Sequence, residues 1–188
     1  MKSVQMKTKV CLVGDSAVGK TSLIRRFVLN AFDDKYILTV GTNVCKKRLE
    51  VHFSEIDTEV VCDLMIWDIM GQKGFRDLLK TAYFYNVEGI IAVCDVTLSS
   101  TLFTLNDWIK SVHSIAGNVP VVLVANKVDL VDDSQFGQED LSQIAKIYDS
   151  PYFFSSAKTG ENVETVFQTL TERVAAEQLK KSEKIVVK

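Results

Sequence analysis

The chain is short of almost everything that would mark it as unusual. It has 2 prolines and 9 glycines in 188 residues, with no stretch rich in either, so nothing reads as a linker or as a segment unable to fold. No apolar run approaches the ~20 residues of a membrane span. The N-terminus, Met1-Lys2-Ser3-Val4-Gln5-Met6-Lys7, has no apolar signal core, and the expectation is a cytoplasmic protein. The net charge of −2 gives no basic surface for nucleic acid. The four cysteines, Cys11, Cys45, Cys62 and Cys94, form no C-x-x-C pair and read as reduced core residues. His52 and His113 stand alone. What remains is an ordinary globular composition, 47% hydrophobic and 24% charged, enough for one domain with a sizeable core.

One stretch organises the rest. Gly14-Asp15-Ser16-Ala17-Val18-Gly19-Lys20-Thr21 fits G-x-x-x-x-G-K-[ST]. An apolar run, Val10-Cys11-Leu12-Val13, precedes it, and a helical pattern beginning at Ser22 follows. Strand, loop, helix is the context a phosphate-binding loop needs. Its backbone N–H groups and the new helix N-terminus can surround phosphate oxygens. Lys20 can reach the outer phosphates, and the Thr21 hydroxyl can ligate Mg²⁺.

Strand and helix signals alternate over most of the length. Lys9–Val13 reads as a buried strand, Thr21–Asn30 as a helix, and 31–42 as a loop. Asn43–Phe53 and Glu59–Asp68 read as two strands joined by a short polar turn, hence an antiparallel hairpin. A helix is expected within Phe75–Tyr85, a strand over Ile90–Asp95, and a helix over Leu102–Ala116. Val121–Ala125 is a strand, Gln138–Tyr148 a helix and Tyr152–Phe154 a short strand; a last helix is capped near Asn162. Apolar periodicity fades after about Gln178, where fraying is expected. The sum is an α/β fold of one domain, 1–188 with its core at about 6–177. It has about six strands, mainly parallel with one antiparallel, and about five helices on both faces.

Three further motifs fall at the carboxyl ends of strands, where such sheets bind ligands. In Asp68-Ile69-Met70-Gly71-Gln72, a carboxylate can hold Mg²⁺ through its water shell, Gly71 can offer its N–H to a terminal phosphate, and Gln72 can orient water. Taken singly this motif is better read as a surface turn. In Asn126-Lys127-Val128-Asp129, the carboxylate can accept two hydrogen bonds from guanine, a donor pair that adenine lacks. Asn126 can tie this loop to the phosphate loop, and the stem of Lys127 can cover the ring. A hydrophilic turn explains the same residues. In Ser155-Ser156-Ala157-Lys158, the Ala157 N–H can donate to the guanine O6. The order of all four motifs along one sheet edge carries the weight that no single one does.

Those residues, with Thr39-Val40-Gly41 and Asp95-Val96-Thr97, resemble small GTPases of the Ras superfamily and look closest to the Rab branch, over roughly residues 6–177. The resemblance implies a P-loop GTPase fold and a GTP/GDP switch with bound Mg²⁺. Nucleotide would lie against Gly14–Ser22, Phe32, Tyr36, Thr39, Gly71, Asn126, Lys127, Asp129 and Ser156–Lys158. Thr21, Thr39 and Asp68 would serve the metal. Gln72 and Lys20 would serve hydrolysis, and segments 33–42 and 69–80 would be the two switches. Protein effectors, an exchange factor and a GTPase-activating protein are implied partners of a monomer. No arginine stands out as catalytic in cis, so a partner would supply one.

The chain departs from that pattern at Met70, where the family carries a small alanine, and at Lys73, where it carries an acid. These leave nucleotide binding intact and hydrolysis open, with a non-hydrolysing GTP/GDP-binding scaffold as the alternative. A phosphate-loop kinase or ATPase is a third reading, which Asn126–Asp129 argues against. No cysteine follows Cys94, so a C-terminal prenylation motif is not expected. Peripheral membrane contact then finds no support beyond a few C-terminal lysines.

Overall fold

Short apolar runs bounded by turns become the strands, and longer periodic segments become the helices. A computed structural model describes residues 2–33, 39 and 42–186, and for 73, 75–79, 131 and 183–186 the backbone alone. The strands are β1 (Lys2–Val13), β2 (Thr42–Phe53), β3 (Thr58–Ile69), β4 (Gly89–Asp95), β5 (Val121–Asn126) and β6 (Tyr152–Ser155). They form one sheet in the order β2-β3-β1-β4-β5-β6. Only β2 is antiparallel to its neighbour; the other four pairings are parallel. The helices are α1 (Lys20–Leu29), α2 (Lys73–Phe84), α3 (Ser99–Phe103), α4 (Leu105–Ala116), α5 (Gln138–Ile147) and α6 (Val163–Val186).

The central strands β4 and β5 are buried along their whole lengths, as parallel strands covered on both faces must be. On one face α1 and α6 pack Leu23, Phe27, Val166, Phe167 and Leu170 against Val10, Leu12, Ile91 and Val122. The rings of Phe27 and Phe167 stack there at 4.0 Å. On the other face Phe84, Leu105, Trp108, Ile109 and Leu141 cover Cys11, Val13, Ile90 and Leu123. Cys11, Cys62 and Cys94 are buried and all four cysteines are free; burial pushes the Cys11 thiol up to about 12, which leaves it an unreactive core group.

Three elements differ from the sequence-based expectation. β1 starts at Lys2 rather than Lys9, because it stays in register with β3 from Lys2↔Thr58 to Leu12↔Asp68. The C-terminal end of α6 joins that added sheet: Leu179, Val4, Met6 and Phe53 all pack against the core of this face, and Gln178 donates to Thr8 and Glu88. The backbone stays helical through Val186, past the point where apolar periodicity fades. The helix expected over Leu102–Ala116 is two helices, α3 and α4, which meet at Thr104. Asn162 stands before α6 but does not cap it through its side chain, which donates to the Phe154 carbonyl at 2.7 Å.

Candidate functional site

The carboxyl ends of β1, β3, β5 and β6 face one cavity of about 360 Å³, within the range of small-molecule sites. Its walls include Ser16, Ala17, Gly19–Ser22, Phe32, Thr39, Met70, Gly71, Asn126, Lys127, Asp129, Ala157 and Lys158. The four motifs therefore meet in space. Gly14, Asp15, Val18, Asp68, Gln72 and Ser156 do not form part of the lining. Tyr36 lies outside the described residues, as do the rest of 34–38, 40 and 41 and the side chain of Lys73. No group of three or more His, Cys, Asp or Glu that could hold a metal occurs among the described residues.

The phosphate loop leaves β1 at Gly14 and enters α1 at Lys20. Gly19 takes φ +99°, and a Cβ there would lie 2.2 Å from the Asn126 amide nitrogen, so only glycine fits. Lys20 is 6% exposed. Its ammonium donates to the carbonyls of Gly14 at 2.8 Å and Asp15 at 2.7 Å. Burial pulls its pKa down to about 8, against the pull of Asp68 and Asp15. The second loop approaches closely: a Cβ on Gly71 would stand 2.5 Å from both Asp15 C and Ser16 N.

Oxygen donors gather beneath Lys20. The Thr21 hydroxyl donates to Asp68 Oδ2 at 2.5 Å and lies 2.9 Å from the Thr39 hydroxyl. Asp68 Oδ1 is buried with no hydrogen-bond partner among the described residues. Burial raises the Asp68 pKa, opposed by the Thr21 hydrogen bond and by Lys20. Two hydroxyls and a carboxylate with a spare oxygen suit a hard cation such as Mg²⁺, which takes few protein ligands and keeps waters or phosphates for the rest.

The opposite end is more fully bonded. The Asn126 amide donates to the Val18 carbonyl at 2.9 Å, tying base loop to phosphate loop. Its oxygen accepts from Ser155 Oγ and from the Ala157 N–H, both at 3.2 Å. That N–H, expected to face guanine O6, is thus engaged with Asn126. Ser156 does not line the cavity; it holds Asp129 by donating to Oδ1 at 2.6 Å. Phe32 packs its side chain onto the core beside α1 and lines the same cavity.

Sequence reasoning left three contributors without a role. Asp95, at the end of β4, pairs with the Lys127 ammonium and accepts from the Thr97 N–H and hydroxyl at 2.9 and 2.8 Å. Arg26 donates to the carbonyls of Ala157 at 2.8 Å and Lys158 at 2.5 Å, fixing their loop. Arg25 lines the cavity. The last two sit one after the other on a helix whose pattern marked it only as a core element, so nothing in the sequence singled them out.

Comparison with known proteins agrees with the geometry. A model of the Ras family matches residues 9–176. The Ras-related protein Rab-27B of Rattus norvegicus is 33% identical over 186 residues, 96% of this chain and 83% of the relative. Rab-30 of Homo sapiens is 30% identical over 94% of this chain and 84% of its own length. Rab-1 of Theileria annulata is 33% identical over 90% of this chain and 75% of its own. Among the described residues no helix is long and apolar enough to cross a membrane. The chain belongs to the Ras family, in its Rab branch, and is a small GTPase that takes guanine nucleotide.

Proposed function

We propose that the chain is a molecular switch in membrane traffic or signalling, its GTP state read by protein effectors and its cycle set by an exchange factor and a GTPase-activating protein. Segments 33–42 and 69–80 are the parts that change. Asp129 accepts from the guanine edge, with Ser156 holding the carboxylate and Asn126 holding the loops together. Phe32 and the stem of Lys127 flank the ring, and Tyr36 closes over the phosphates. Lys20 leaves the carbonyls of Gly14 and Asp15 for the outer phosphates.

The observation that carries this reading is the unpartnered Asp68 Oδ1 beside the paired hydroxyls of Thr21 and Thr39. Thr21 and Thr39 would hold Mg²⁺ directly and Asp68 through water; when bound, the ion draws charge from the phosphate oxygens. Gly71 offers its N–H to the terminal phosphate, and Gln72 orients the water that displaces GDP from that phosphorus. A terminal phosphate that anchors Thr39 and Gly71 orders both segments, and its loss releases them.

One observation favours the scaffold alternative. Met70 is 6% exposed and lines the cavity, while Gln72 does not. Inorganic phosphate released from GTP-loaded protein with Mg²⁺ separates the two. Slow release that falls at least tenfold in Gln72→Leu is expected for a working switch. GTP retained without release in both proteins overturns it in favour of the scaffold.

A further inference from the structure

Asp15 carries a carboxylate within the loop that takes phosphates. A free carboxylate there would repel the ligand. In the structure it is turned away and tied back: Oδ2 accepts at 2.9 Å from the Thr104 hydroxyl, which shares its one proton with the Thr101 carbonyl at 3.1 Å, and Oδ1 accepts from the Trp108 indole N–H at 2.9 Å. Thr104 is the break between α3 and α4, and Trp108, fully buried, lies one turn into α4. Four residues apart, they present their donors on one helix face. The interruption that the periodicity of 102–116 did not show thus coincides with this tether.

The main chain of Asp15 meanwhile contacts Lys20 and Gly71, two residues of the cavity wall. Its carbonyl accepts from Lys20. Gly71 packs so closely on the Asp15–Ser16 peptide that a Cβ would stand 2.6 Å from the Asp15 carbonyl oxygen. In the reading above, which this inference rests on, Gly71 is the group that meets the terminal phosphate. The Asp15–Ser16 peptide is therefore the part of the phosphate loop that lies against Gly71, and the Asp15 charge already reaches Lys20.

We propose that Thr104 and Trp108 are positioning residues that hold the Asp15 carboxylate out of the phosphate site, and that this tether lets the site accept the terminal phosphate of GTP. Released, the carboxylate faces the more highly charged triphosphate at the Gly71 side and discriminates against it. GDP, whose phosphates stop short of Gly71, is little affected. The tether also joins α4 to the phosphate loop, so a partner bound on α4 has a direct route to the balance between the two nucleotides.

The test measures affinities for GDP and for a non-hydrolysable GTP analogue with Mg²⁺ present, in wild type, Thr104→Val, Trp108→Phe and the pair combined. Expected is a roughly tenfold loss for the triphosphate in the combined variant and less than threefold for GDP. Adding Asp15→Asn, which removes the charge, restores triphosphate affinity to within about threefold of wild type. A merely structural role would not be rescued by that change. Equal losses for both nucleotides, no loss, or no rescue overturns the proposal. Thr104→Val, on the shell of the protein, carries the same test if Trp108→Phe does not fold. Lys20→Ala separates the layers: if it leaves triphosphate binding intact, the phosphate-loop reading itself falls; if it abolishes binding while the tether variants do nothing, only the tether falls.

Discussion

The two ends of the cavity are built in opposite ways. At the base end the protein satisfies its own polar groups. Asn126 bonds Val18, Ser155 and Ala157, Asp129 has Ser156, Lys127 has Asp95, and Arg26 holds the Ala157 and Lys158 carbonyls. At the phosphate end burial is compensated only in part, although Lys20 bonds two carbonyls and Asp68 Oδ2 accepts from Thr21. Lys20 is pulled well below the usual lysine range, the Asp68 pKa is raised, and Asp68 Oδ1 has no partner among the described residues. A preorganised end recognises at little reorganisation cost, which is how specificity is secured. An end whose buried groups are only partly satisfied changes most when ligand arrives, which is what a switch requires.

The largest effect should come from breaking the preorganised end. Asp129→Ala removes the acceptor for the guanine donor pair, and GDP affinity should fall on the order of a thousandfold. Inosine diphosphate lacks the 2-amino group, so in wild type it leaves part of the Asp129 carboxylate unpaired beneath the bound base, at about 2–3 kcal/mol or roughly a hundredfold. In Asp129→Ala that preference should shrink to near unity, measured by competition against a fluorescent GDP. A preference that survives the substitution would mean that the base end does not read guanine through Asp129.

Next is the phosphate end. Removing Mg²⁺ from the GDP complex should speed nucleotide release at least tenfold, and Asp68→Asn should erase most of that dependence while leaving the guanine preference unchanged. The same substitution should raise the melting temperature of the nucleotide-free protein near neutral pH. A carboxyl whose pKa is raised by folding destabilises its ionised form, and the cost is complete above the folded value. Asp68→Asn weakening guanine preference as much as metal dependence would abolish the distinction between the ends.

Much of this was legible before the fold. Motifs at strand ends betray themselves because the glycines, lysine and carboxylates are placed by local chain geometry: Gly14–Thr21, Asp68–Gln72 and Asn126–Asp129 each bring some of their residues to one cavity. What could not be read depends on distant packing. The first half of β1 alternates as an edge-like strand, and only pairing with β3 and cover from α6 explains it. Trp108 reads as one more core residue on a periodic helix, and its indole N–H matters only because Asp15 lies 2.9 Å away, across 93 residues of chain. The helix break at Thr104 escaped for the same reason: a hydroxyl that bonds the Thr101 carbonyl and Asp15 competes with helix geometry in a way that apolar spacing does not record.

A smaller effect distinguishes the ends by pH. In the nucleotide-free protein Lys20 has a pKa of about 8, against the ordinary 10.5. Below about pH 8 folded and unfolded chains both hold the proton, and the burial penalty is complete. Between about 8 and 10.5 the unfolded chain binds more protons, so this lysine's contribution to stability improves as pH rises. Lys20→Met should therefore melt a few degrees higher than wild type at pH 7.5, with the gap narrowing by pH 9.5. No base-end residue should give such a trend; Asn126→Ala should be destabilising at every pH. A gap that stays constant would mean that Lys20 is not strained by burial.

The smallest expected effect concerns Met70, and it sharpens the comparison most. The side chain is buried on the cavity wall next to Gly71 and takes no part in the base-end hydrogen bonds. Met70→Ala leaves a cavity and costs stability by about 2 kcal/mol, the low end for such a truncation. GDP affinity should stay within about twofold, because no base-end group moves. Phosphate release from bound GTP should rise a few-fold, because Gly71 gains room to swing toward the terminal phosphate. The rise should vanish in a Met70→Ala, Gln72→Leu double variant if the water-orienting role of Gln72 is what the room permits. A fall in GDP affinity equal to the change in hydrolysis would make Met70 part of the shared support for both ends, and the phosphate end would no longer be adjustable independently of the base end.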